Sequence, residues 1–230
     1  MRVREEARGH RRGGAASAHR HRLRTGGRSR TVTHRGAEPG TWAHGTAAGE
    51  VDEWVRSFAR LLQPAIVESL RALTSSATSE VTGVGVYTDD MGSSLVAGAN
   101  ERRFYENLIA EDPGYDAYYR FYIGDWALFS SDLAPDPLEE ANARLAAEWT
   151  AARNQNAETG RLSRAVWDAT MTAMLALKAQ GFFTRWPQAV VVFQPIDASI
   201  PDEEVNDWVR SLNSATHAAE YSAWAANPLS

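Results

Sequence analysis

The chain contains no cysteine. Disulfides, thiolate nucleophiles and cysteine-ligated zinc or iron–sulfur centres are therefore excluded. Lysine is almost missing too: of the 24 basic residues only Lys178 is not arginine. With abundant Ala and Gly, this points to a GC-rich coding bias, so an individual arginine is weak evidence for bidentate recognition. No run of about 18 apolar residues exists, and no membrane span is expected. Arg11-Arg12 is followed by GGAASAHRHR, which is not the apolar stretch a secretory signal requires. Histidine is scarce over most of the length. Five of the six lie within residues 1–45 (His10, His19, His21, His34 and His44), leaving only His217. Catalysis by a nucleophile, a base and an orienting group has little imidazole to draw on there.

What is present divides into two parts. Residues 1–45 hold 11 basic and 3 acidic side chains. Few large apolar residues and a high net charge predict a disordered basic leader. It reads either as a tail without a partner or as sequence upstream of a start near Val51. Its functional alternatives are contact with nucleic acid or anionic lipid, or an Arg-rich transit peptide. Residues 46–230 hold 26 acidic and 13 basic side chains and seven of the eight tryptophans. Residues 50–230 are long enough for one globular domain with its own core.

Apolar residues recur at helical spacing from Val51 to Leu73, with Pro64 expected to kink or divide that helix. Val81–Asp90 and Ser93–Ala99 read as two strands of a hairpin around Asp89-Asp90-Met91-Gly92. Asn100 is expected to cap a helix over 101–111. The aromatic-rich stretch 115–130 is read as a strand bent at Gly124. Helices are expected over about 138–156 and 161–180, a buried strand over 189–197, and helices after Pro201 and over about 215–226. This order implies an α+β fold: a small mixed or antiparallel sheet, with a hairpin near 81–99, packed against several helices.

Chemical motifs are few. Gly83-Val-Gly85 has the spacing that begins a dinucleotide fingerprint, but Thr88 stands at the third glycine and no helix follows; close packing is the better reading. No cofactor motif is found. Asp89, Asp90, Asp125 and Asp197 could assemble a metal-assisted hydrolase, although DDMGSS lacks the alternating ligands of a calcium loop. Ser93-Ser94 lack the GxSxG turn, and His217 with Glu220 is too small a ligand set for a metal. The aromatic stretch, with Asp112, Asp116 and Asp125, reads either as core or as a binding surface for a basic partner.

The segments VTGVGVYTDD with Asn100, YYRFYIGDWALFS, ALKAQGFF, VVVFQPID and LNSATHAAEYSAW together resemble the bacterial domain-of-unknown-function family 4303, over about residues 52–226. The anchors are Asn100, Tyr119-Arg120, Asp125-Trp126, Gly181-Phe182, Asp197, Asn213 and Glu220-Tyr221. A Glu usual before the tryptophan is Asp125 here, which keeps the carboxylate. The resemblance implies a small cytoplasmic α+β protein without an established activity, similar in kind to immunity or antitoxin-type proteins encoded near toxin genes. The resulting expectation is a binding protein that sequesters a partner with a basic surface. Its candidate contact residues are Tyr119, Arg120, Asp125, Trp126, Asp197 and Glu220, with no membrane contact and no nucleic acid except through the leader. Carboxylate-dependent hydrolysis is the alternative.

Overall fold

The computed structural model describes residues 48–154 and 159–226. The basic leader lies outside the described residues. The first helix, α1 (Ala48–Ser76), buries Trp54, Phe58, Leu62, Ile66, Leu70 and Leu73 along one stripe. Each fully buried large side chain of this kind contributes about 1.5–3 kcal/mol. Of the two outcomes expected at Pro64, a kink or a division, the division does not occur: α1 runs through it as one helix. The Pro64 ring is on the exposed side, and buried Leu62 and Ile66 hold the turns around it against the core.

Strand β1 (Val81–Thr88) pairs antiparallel with β2 (Leu95–Glu101), forming the expected hairpin. The turn is closed by Asp89, whose carboxylate accepts hydrogen bonds from the Ser93 amide, at 2.7 Å, and from the Ser93 hydroxyl. Helix α2 (Arg102–Glu111) follows directly. Asn100 does not cap it: Asn100 remains in β2, opposite Gly83. The orphan amides of α2 are instead met from the loop before β1. Arg102 donates to the Glu80 carbonyl at 2.7 Å, and Arg103 donates to the Ser79 hydroxyl at 3.0 Å.

Residues 115–130 are not a strand. They form a 3-10 turn (Pro113–Tyr115), helix α3 (Asp116–Phe121), a second 3-10 turn (Ile123–Asp125) and only a two-residue strand, β3 (Leu128–Phe129). The physical reason is the spacing of the tyrosines. Positions 115, 118, 119 and 122 form a stripe of helical period, and that periodicity outweighs the β-propensity of each ring.

Helices α4 (Glu139–Asn154) and α5 (Thr159–Ala179) come next, then β4 (Val190–Pro195), α6 (Asp202–Leu212) and α7 (Ala215–Ala226). The sheet order is β3-β2-β1-β4, with β4 parallel to β1 and the other pairs antiparallel. The fold is α+β with a mixed sheet, as expected.

Alternation along the strands creates two cores. Val84, Val86, Leu95, Ala97, Ala99, Val191 and Phe193 face the large core formed with α1, α4 and α5. Val190 and Val192 face the other way, toward Phe121, Ile123 and Trp126. On this second face β1 and β2 present Gly83, Gly85 and Gly98. A Cβ at Gly83 would lie 2.8 Å from the Trp126 ring, and one at Gly85 would overlap the Val192 carbonyl oxygen. The glycines of VTGVGV thus admit the 121–126 segment against the bare sheet.

Both ends of the strand system are closed by asparagine side chains. Asn142 accepts from the Leu95 amide at 2.8 Å and donates to the Leu95 carbonyl at 3.0 Å. Asn213 does the same for Val191, with both distances 2.7 Å. Each side-chain amide takes the place of a neighbouring strand, Asn142 on β2 beyond the reach of β3 and Asn213 on the outer side of β4.

Candidate binding surface

The segment between α2 and β3 is anchored from below. Phe121, Ile123 and Trp126 are 2%, 0% and 3% exposed and fill the second core. The Ile123 amide donates to the Gln194 side-chain oxygen at 3.1 Å, tying the 3-10 turn to β4. Helix α7 covers the flank: Phe121 stacks on Trp224 with ring centroids 6.3 Å apart and meets Tyr221 edge-on at 5.2 Å.

With the apolar side fixed inward, the tyrosine stripe must face outward. Tyr118 stacks on Tyr122 at 4.9 Å and meets Tyr119 at 5.5 Å and Tyr115 at 6.0 Å edge-on. Tyr118, Tyr119 and Tyr122 are half-buried, and Tyr115 is 43% exposed. Carboxylates border the rings. Burial, then the Asp125 carboxylate against it, pushes the Tyr118 hydroxyl above the usual phenol range. Tyr122 is raised by burial and then by Asp197 and Asp125, and Tyr119 by burial and then by Asp112, Asp125 and Glu111. Among the described residues neither Asp125 nor Asp197 forms an ion pair.

Arg120, the only cation between residues 111 and 130, is already engaged. Its guanidinium pairs with Glu220 on α7 at 3.5 Å and faces Tyr105 on α2. Tyr105 in turn donates to the Asp116 carboxylate. His217 is buried close by; burial lowers its pKa, the Arg120 charge lowers it further, and Glu220 opposes both.

A family model described as Domain of unknown function (DUF4303) matches residues 62–214. The chain belongs to this family. No curated protein and no solved structure matches it. The DUF4303 match takes in the sheet, the tyrosine stripe and Asn213, and it ends just before α7. The partner of Arg120 and the rings of Tyr221 and Trp224 therefore come from beyond the matched segment.

In this DUF4303 chain the residues singled out from sequence fall into three groups. Arg120 and Glu220 meet as an ion pair. The Asp125 charge acts on the Tyr119 and Tyr122 hydroxyls, and the Asp197 charge acts on Tyr122 as well. Trp126 is packed under the sheet and offers almost no surface. Tyr118 and Tyr122 were not singled out, although the i, i+3, i+4, i+7 spacing from Tyr115 marks them. Of the aspartates considered for hydrolysis, Asp89 is committed to its turn and Asp90 is exposed. Among the described residues no three His, Asp or Glu side chains are grouped to hold a metal ion, and no helix is long and apolar enough to cross a membrane.

Proposed function

We propose that this chain is a binding protein that sequesters a partner protein bearing a basic surface, in the manner of an immunity or antitoxin-type protein of the bacterial cytoplasm. The observation that carries this reading is the tyrosine stripe of 115–122. It stands on a sheet-backed segment near Asp125 and Asp197, neither of which forms an ion pair among the described residues. Tyrosine supplies large contact area at little entropic cost, which makes it a frequent interface anchor. Carboxylates around such anchors favour a cationic partner and speed its encounter.

The 26 acidic against 13 basic side chains of residues 46–230 act in the same direction at longer range. A cytoplasmic location belongs to the same proposal, and the lack of cysteine is compatible with a reducing compartment. The test is titration of the purified chain with basic toxin domains encoded beside its gene, at low and moderate salt. Binding that weakens with salt is expected; no binding at micromolar concentration under either condition overturns the reading.

A further inference from the structure

Where the start of α1 lies on α4, the large core encloses two charged side chains. Glu148 of α4 is 0% exposed. One carboxylate oxygen accepts a hydrogen bond from the Trp54 indole N–H at 3.3 Å. The other is shut off from solvent and has no hydrogen-bond partner among the described residues. Arg144 stands one turn earlier on the same helix. Its guanidinium carbon is 5.6 Å from the centre of the Phe58 ring and 6.0 Å from that of Trp54, and these two rings stack at 4.9 Å. The Nε and Nη2 nitrogens of Arg144 form one edge of the guanidinium fork, and both are likewise enclosed and unbonded. Burial pulls the Arg144 pKa down, and the Glu148 charge opposes that pull. Yet no ion pair joins the two among the described residues.

Such a cluster holds two helices together poorly. A buried polar atom without a partner forgoes the hydrogen bonds it makes in water, and a charged one forgoes more. The cation–π contacts and one long indole bond recover only part of that loss. Lifting the first three turns of α1 off α4 returns all three orphaned atoms to water. The later turns have no such release: Leu62, Ile66 and Leu70 are fully buried in an apolar core, and exposing them is only unfavourable. Between the two stretches the helix is also weakened. Pro64 has no amide hydrogen, so the Arg60 carbonyl loses its helical bond.

We infer that residues 48–58 are a strap that opens as a unit over Arg144 and Glu148, hinged at the turn from Arg60 to Pro64, while the rest of the core stays closed. Opening bares the Trp54 and Phe58 rings together with a guanidinium and a carboxylate, a surface that the closed fold conceals. The strap lies on the opposite side of the sheet from the second core and does not depend on the binding role of the tyrosine face.

Native-state hydrogen exchange of the full chain, resolved by mass spectrometry, tests this. Amides of residues 52–58 are expected to exchange at least about tenfold faster than those of 62–73, with a shallower dependence on urea. Fraying of the helix end that leaves Arg144 and Glu148 covered is insensitive to those side chains, so two variants separate it from opening of the strap. Arg144→Met/Glu148→Gln removes both charges and keeps an acceptor for the Trp54 indole. It should slow exchange at 52–58 by about fivefold or more. Arg144→Met alone leaves the buried carboxylate without its opposing charge and should speed that exchange by about tenfold or more. Unchanged or faster exchange at 52–58 in the double variant overturns the inference. So does a wild-type urea dependence at 52–58 as steep as at 62–73, a result that decides the matter without any variant if the double one fails to fold.

Discussion

Asn213 and Val191 exchange two hydrogen bonds, each 2.7 Å long, so that one side chain completes the outer edge of β4. Asn213 is itself steadied by a third bond, donated to the Val209 carbonyl at 3.0 Å. The sheet face that carries the tyrosine segment thus depends on a residue just past the end of α6. Asn213→Ala leaves the Val191 amide and carbonyl without this partner, which costs about 1–3 kcal/mol. A lower urea midpoint with an unchanged slope is expected. Asn213→Asp keeps the acceptor but loses both donors, so its midpoint falls as well.

Gly85→Ala places a methyl group into the Val192 carbonyl, and neither β1 nor β4 can move aside without breaking their pairing. The expected loss is at the upper end of point-mutant effects, about 3 kcal/mol or more. Gly160→Ala near the start of α5 meets nothing within 4 Å. It is expected to be neutral or to stabilise by up to about 1 kcal/mol through helix propensity. Thermal melts of the two variants should move in opposite directions or differ by many degrees.

His217 gives the fold a specific pH dependence. Burial, and then Arg120, hold its folded-state pKa below the ordinary 6.5, with Glu220 partly offsetting them. The unfolded chain therefore takes up a proton first as pH falls. Stability tied to this group is fully present above 6.5 and declines as pH drops below it toward the folded-state pKa. His217→Gln should flatten the stability profile between about pH 5.5 and 7.5, where few carboxylates titrate. Denaturant midpoints at several pH values, for both proteins, check this.

The Arg120–Glu220 pair joins α3 to α7, with side chains 28% and 42% exposed. Solvent screening keeps its coupling energy modest, about 0–1 kcal/mol. A double-mutant cycle of Arg120→Ala and Glu220→Ala should give a value in that range. It should shrink further at high salt.

Much of this fold can be read directly from the chain. The stripe from Trp54 to Leu73, the β-branched run at 190–192 and the Asp89–Gly92 turn each carry a local signal that the packed structure keeps. The 121–126 segment does not, because its fold depends on partners far away. Ile123 needs the Gln194 side chain, and Trp126 needs the absence of a side chain at Gly83. The cap of α2 is likewise supplied by Ser79 and Glu80 across the hairpin rather than by adjacent Asn100. The candidate surface was legible in part. Residue type marks Asp125, Asp197 and Tyr119, whereas the strand propensity of each tyrosine masks the helical spacing that points to Tyr122.

In the proposed function a basic partner is gripped at the tyrosine face, near Asp125 and Asp197. The most direct test is the affinity of a basic toxin domain encoded beside the gene for the wild-type chain and for Asp125→Asn/Asp197→Asn. Loss of two close charge contacts should weaken binding by about tenfold or more, mostly through faster dissociation, with unfolding temperature unchanged. Equal affinities for the two proteins would contradict the account.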